Sequence, residues 1–116
     1  MTNTFTAEEV TRPTETIPLA CNLAVMTSDE RTHHSEVVSD WRTQVVERVE
    51  LPDGFAYRFA PDAALLITLA EFIGRERLCC PFFRFQLDLE PSGPLWLRLT
   101  GPHGAKELLA GFFGAD

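Results

Sequence analysis

Apolar residues recur at helical spacing in the first third of the chain. Thr27 stands three residues before Glu30 in the segment TSDE, which is the arrangement of a capping box. The pattern predicts a helix that begins at this cap and turns one apolar stripe toward a partner surface. The residues of that stripe are Val37, Val38, Trp41 and Val45.

Further along, apolar and polar residues alternate as they do in half-buried strands. The turn sequences PDG at 52–54 and PSGP at 91–94 join such segments into two hairpins. The alternation predicts a sheet with one buried face. In its clearest stretch the inward residues are Phe83, Phe85, Leu87 and Leu89, and the outward residues are Arg84, Gln86, Asp88 and Glu90.

The chain also repeats itself at an offset of 40 residues. LAEFIG at 69–74 aligns with LAGFFG at 109–114, and the preceding strand segments at 55–59 and 95–99 align as well. Each copy has the order ββα. We therefore predict an α+β fold in which an N-terminal helix precedes a duplicated ββα unit. The two units form one four-stranded, mostly antiparallel sheet with the helices on one face.

Composition and charge restrict the number of domains, the partners and the location that we expect. The 116 residues suffice for one domain, and 45% of them are hydrophobic. Residues 1–20 are polar and contain two prolines, so we predict a flexible tail followed by a single α+β domain at 21–116. The net charge of −7, without a basic cluster, disfavours nucleic acid and anionic membranes as partners. No apolar run reaches the roughly 18 residues of a membrane span, and MTNTFTAEEV lacks signal-peptide features, which favours the cytoplasm.

The candidate chemistry lies in the segment RERLCCPFFRF at 75–85. Three cysteines without an export signal make a disulfide framework unexpected, so we predict free thiols. Pro81 disfavours helix at the residue before it, which predicts a helix end at about Cys79 and a strand from near Phe82. Adjacent Cα atoms lie about 3.8 Å apart, below the usual range for disulfides, so Cys79 and Cys80 are interpreted as two thiols.

Helical phase separates the roles of these two cysteines. Cys80 falls close to the apolar stripe of its helix and Cys79 near the margin, so we predict that Cys80 packs and Cys79 reacts. The helix C-terminus raises a thiol pKa, whereas inward-pointing arginines at 75, 77 and 84 would lower it, and the sequence leaves this contest open. Cys21 completes a three-thiol site if its segment packs over the corner.

Other polar residues have alternative interpretations. Glu47 is either a carboxylate on the apolar face or part of the connection after a first helix that continues through Val45. His33 and His34 are adjacent, so their rings diverge, and a solvated helix face accounts for both. His103 belongs to a turn between a strand and the last helix, where the signature of a P-loop is absent.

The segment RERLCCPFFRFQLDLEPSGPLWLRLTGPHGAKELLAGFFG resembles a family of small, mostly uncharacterised bacterial proteins with the motif Cys-Cys-Pro-Phe. The resemblance covers roughly residues 19–114, and the family's Cys-x-Leu is matched by Cys21 and Leu23. Leu78 departs from it, because a charged residue is expected there. Members of the family occur beside mercury-resistance genes and regulators, or fused to such regulators. The resemblance implies a setting of soft-metal or thiol stress.

Together these observations favour a non-enzymatic accessory protein that binds a soft metal ion or a thiol-reactive compound. Cys79, Cys80 and Cys21 are the expected ligands, and mercury, copper(I) or zinc is the expected ion, because thiolates are soft donors. The alternative is an interaction module with structural cysteines and no metal site, which contacts a second copy of itself or a regulator. A thiol enzyme comes third, since it needs a base near Cys79. The candidates for that base are Glu47, His33, His34 and His103.

Overall fold

Three α-helices and four β-strands form the part of the chain that the computed structural model describes, residues 19–113. A short 3-10 turn, Leu23–Val25, precedes them. In chain order the elements are α1 (Ser28–Thr43), β1 (Glu47–Leu51), β2 (Gly54–Phe59), α2 (Ala63–Cys79), β3 (Arg84–Leu89), β4 (Leu95–Thr100) and α3 (Ala105–Phe113).

The four strands form one sheet in the order β1-β2-β4-β3, and all neighbouring strands are antiparallel. The second strands of the two hairpins meet at the centre, where Tyr57 lies opposite Leu97. The predicted α+β class, with an N-terminal helix and a four-stranded antiparallel sheet, is confirmed. The internal duplication remains a prediction.

Helix α1 begins with the predicted capping box. The Glu30 N–H donates to Thr27 Oγ1 at 3.1 Å, and the Thr27 N–H donates to Glu30 Oε1 at 2.8 Å. The helix ends at Thr43, because the chain must turn into β1. The predicted continuation of the helix through Val45 is therefore wrong, although Val45 still packs against the core.

Neither interpretation of Glu47 holds. Glu47 is the first residue of β1, where strand pairing places it opposite Arg58. Arg58 Nε donates to Glu47 Oε1 at 2.8 Å, and the carboxylate is exposed. An ion pair on the outer sheet face accounts for this residue.

The core lies between the inner sheet face and the helices. Trp41, from the apolar stripe of α1, is fully buried at its centre. Aromatic rings from β2 and from two helices surround its indole, with centroids 5.1–6.2 Å away, namely those of Tyr57, Phe59, Phe72 and Phe113. Through Trp41, the stripe predicted from helical spacing therefore packs against β2, α2 and α3.

Helix α2 ends at the position predicted from Pro81. Its last residue is Cys79, and the N–H of Cys80 still donates to the Glu76 carbonyl at 2.7 Å. The following strand begins at Arg84 and not near Phe82, because Phe82 and Phe83 first turn into the core. Cys79 and Cys80 thus lie at the joint between a helix and a strand.

Almost all of the predicted tail, residues 1–20, lies outside the described residues; Leu19 and Ala20 are exposed. None of the helices within 19–113 combines the length and the apolar character needed to cross a membrane.

Candidate functional site

The chain segment before α1 folds over the C-terminal end of α2. Its Asn22 N–H donates to the Cys79 carbonyl at 2.7 Å, and the Asn22 side chain accepts from the Ala24 N–H at 3.1 Å to start the 3-10 turn. This backbone contact places Cys21 directly over the cysteine corner. The sequence left the position of Cys21 open, and the structure brings it to the other two cysteines.

The sulfur atoms of Cys21, Cys79 and Cys80 all lie within 4.8 Å of one another. Cys21 and Cys80, 59 positions apart in sequence, form a disulfide with their Cα atoms 4.4 Å apart. Cys79 remains the free thiol, with its sulfur 3.8 Å from that of Cys80. The prediction of three free thiols is therefore wrong, since a contact between distant parts of the chain leaves no trace in local spacing. Cys79 and Cys80 are not bonded to each other, as predicted.

Burial differs from the prediction at Cys79. Cys80 is 2% exposed, as its phase on the helix predicted, but Cys79 is 4% exposed and equally interior. The margin of the helix stripe becomes interior because the segment around Cys21 covers it. Cys21 itself is partly exposed. The predicted division into one reactive and one packed cysteine cannot rest on exposure.

The surroundings raise the pKa of the Cys79 thiol. Burial is the larger cause and the charge of Glu76 the second, while a hydrogen bond from the Asn22 backbone acts in the opposite direction. The arginines considered from sequence do not point at the thiol. Arg75 donates to Glu71 at 2.6 Å, and the arginines at 77 and 84 are exposed. The effects that raise the pKa of Cys79 therefore outweigh those that lower it, and the neutral thiol is favoured.

A buried polar pair lies beside the cysteines. His34 Nε2 and Glu76 Oε1 are 2.7 Å apart, the two residues are 8% and 6% exposed, and the imidazole stacks on Phe72 at 5.6 Å. His34 Nδ1 has no hydrogen-bond partner among the described residues. The interpretation of both histidines as a solvated face is wrong for His34 and right only for the exposed His33, which contacts Glu71.

Sequence reasoning missed this pair, although a signal for it existed. His34 precedes Val37 by three residues and Val38 by four, so it shares the apolar stripe of α1. Glu76 follows Phe72 by four residues on the stripe of α2. A histidine and a glutamate on facing apolar stripes indicate a buried pair, because such groups are seldom buried without a partner.

The three cysteines and the His34–Glu76 pair line one pocket of about 330 Å³. The rest of its wall is apolar apart from one hydroxyl and comprises Leu23, Met26, Ser35, Val38, Phe112 and Phe113. We call this the cysteine pocket. Glu47 and His103 lie outside it, on the outer sheet face and in the exposed turn before α3.

These features define the chain as an α+β protein with a cysteine cluster at a helix end, beside a pocket. No family model, curated protein or solved structure matches it. The residues of the cysteine pocket are therefore the features from which a function can be inferred.

Proposed function

We propose that the reduced protein binds one soft metal ion through Cys21, Cys79 and Cys80, as a non-enzymatic accessory protein. The observation that carries the proposal is the approach of three sulfur ligands to within 4.8 Å of one another beside a pocket. Mercury(II) is the leading ion, with copper(I) and zinc as competitors, and a link to mercury resistance follows from the family resemblance.

The donor set supports a thiophilic ion of low coordination number. Three thiolates from one corner satisfy mercury(II) or copper(I), whereas a structural zinc site usually takes four ligands. Because thiolates and not thiols bind metals, the raised pKa of Cys79 means that the ion must displace a proton there. Soft ions bind sulfur strongly enough to do so at neutral pH.

Metal binding and the disulfide exclude each other, since both use Cys21 and Cys80. The proposal therefore requires a reduced site. A cytoplasmic location supplies that condition, because thiols are kept reduced there. Nucleic acid and anionic membranes have no part in the proposal, given a net charge of −7 without a basic cluster.

The test is an anaerobic titration of the reduced protein with mercury(II) in the presence of a competing small thiol. We expect a thiolate-to-metal ultraviolet band that saturates at one equivalent, together with a higher melting temperature, because a ligand that binds only the native state stabilises it. Single serine variants at 21, 79 and 80 should each weaken binding. His103→Ala, outside the pocket, is the matched control and should leave the titration unchanged.

A second candidate function is an interaction module with structural cysteines, which contacts a second copy or a regulator. The observation in its favour is the burial of Cys79 and Cys80 together with the disulfide. This candidate replaces the first if the triple serine variant holds the metal as well as the parent does. It also does so if the reduced parent loses all metal to the small thiol.

A further inference from the structure

The cysteine pocket is larger than a coordinated ion requires. An ion shared by sulfur atoms within 4.8 Å of one another occupies only the space between them. The pocket has a volume of about 330 Å³, whereas a water molecule takes roughly 30 Å³ of liquid. Most of the pocket is therefore available to another part of the ligand.

The walls of that remaining space favour an apolar group. Five apolar side chains form them, namely Leu23, Met26, Val38, Phe112 and Phe113. The polar members are Ser35 and the His34–Glu76 pair, whose two side chains bond to each other. Burial of an apolar substituent against these walls is favourable, because it removes apolar surface from water. A carboxylate would lose its hydration and lie near the Glu76 carboxyl group.

Cys79 supplies an attachment point in this space. Its thiol lines the pocket and stays free when Cys21 and Cys80 are joined. A single sulfur suffices for a cation that already carries one organic group, because such a cation has one strong coordination position left. The adduct with one thiolate is uncharged, which suits a buried site.

We propose that the cysteine pocket takes a soft-metal cation bearing one apolar organic group, with the metal on the Cys79 sulfur and the organic group against the apolar wall. In the binding step the S–H bond breaks and its proton passes to solvent, a metal–sulfur bond replaces the bond from the metal to a water molecule, and the metal–carbon bond stays intact. No electron is transferred. The inference rests on the proposed function, since it names the ligand class of the same sulfur site.

The experiment compares two arylmercury cations that differ in one group, phenylmercury and 4-carboxyphenylmercury. The oxidised protein, whose only free thiol is Cys79, is equilibrated with both in equal excess, and native mass spectrometry measures the bound ratio. The same mixture on a small free thiol gives the reference ratio. We expect the protein to prefer phenylmercury roughly tenfold over this reference, because only that ring is buried without a charge.

Variants locate the organic group. Phe112 is 44% exposed at the pocket wall, so Phe112→Ala should fold and should reduce the phenyl preference several-fold. Ile67→Ala is the matched control, because Ile67 is 71% exposed on α2 and lies outside the pocket. Its phenyl preference should equal that of the parent.

A bound ratio equal to the reference, a preference for the carboxylate, or no adduct at Cys79 overturns this inference. The proposed function fails separately, in the mercury(II) titration of the reduced protein. A parent that binds mercury(II) in competition with a small thiol but shows no preference between the arylmercury cations retains the metal site and loses the organic subsite.

Discussion

At the scale of one residue, Tyr57 places a polar hydroxyl group inside the core. Its ring packs against Trp41, and its hydroxyl has no hydrogen-bond partner among the described residues. Burial raises the pKa of Tyr57 to about 12. An unpaired buried hydroxyl costs free energy, so the ring and not the hydroxyl stabilises the fold here.

The first prediction concerns pH. The unfolded tyrosine ionises near pH 10, so at higher pH the folded protein binds more protons than the unfolded chain. Stability from this group is thus fully present below about pH 10 and is lost as pH rises toward about 12. Since Tyr57 is the only tyrosine of the chain, phenolate absorbance reports it directly. It should appear near pH 10 in denaturant and well above that in the folded protein.

Tyr57→Phe is the control for this titration. It should leave the free energy of unfolding at neutral pH unchanged or raise it by up to about 1 kcal/mol, because it removes an unpaired hydroxyl. It should also flatten the loss of stability between pH 10 and 12. An unchanged slope would assign that loss to other groups.

The same scale shows what a sequence can predict about single residues. Helical phase identified Cys80 as buried, since that depends on the face of its own helix. It failed at Cys79, because a segment from another part of the chain covers it. The burial of His34 and Glu76 could also have been predicted from helical phase. That prediction requires the assumption that a polar residue on an apolar stripe has a buried partner.

At the scale of elements, the His34–Glu76 contact joins α1 to α2. The second prediction is that Glu76→Leu lowers the free energy of unfolding by about 1–3 kcal/mol, because it leaves the imidazole of His34 buried without its partner. The double variant with His34→Leu should recover part of that loss. Denaturant melts of the four proteins give the coupling energy between the two residues.

The exposed pair His33–Glu71 is the matched control, since it joins the same two helices with side chains that are 50% and 39% exposed. Its double-mutant cycle should give a coupling of about 0–1 kcal/mol, as surface pairs do. Similar coupling energies for the two pairs would contradict the expectation that burial makes the His34–Glu76 contact the stronger one.

Element boundaries were predictable where a local signal sets them. The capping box fixed the start of α1, and Pro81 fixed the end of α2. The end of α1 and the start of β3 were wrong by a few residues. Both depend on tertiary structure, namely the turn into β1 and the packing of Phe82 and Phe83 before the strand begins.

At the scale of the whole molecule, the sheet and its helices followed from alternation and turns, which are local. The cysteine site did not, because it joins segments 59 positions apart. Residue type and the family resemblance predicted Cys21, Cys79 and Cys80 as ligands, and the structure brings their sulfur atoms to within 4.8 Å of one another. Their oxidation state and their pocket could be seen only in the folded chain.

The third prediction concerns this long-range link. A disulfide that closes a loop of this length stabilises a fold by about 2–4 kcal/mol, mainly by restricting the unfolded chain. The oxidised protein should therefore melt at a higher denaturant concentration than the reduced protein. Cys79→Ser should keep this difference, because Cys79 takes no part in the bond.

Cys21→Ser provides the opposite comparison. It cannot form the link, so its melting curve should be the same with and without a reductant and close to that of the reduced parent. If a reductant leaves the parent's melting curve unchanged, the bond contributes no measurable stability.

The hydrogen bond from Asn22 to the Cys79 carbonyl has a kinetic consequence. It holds the segment of Cys21 over the end of α2 through backbone atoms, so this contact does not depend on the sulfur bond and can persist after reduction. With that contact in place, the Cys21 thiol is near its partner at an effective concentration set by tethering and not by the protein concentration. Closure by an oxidant and the proposed capture of an ion would thus compete for one preassembled set of sulfurs, and the faster of the two reactions would determine the state of the site.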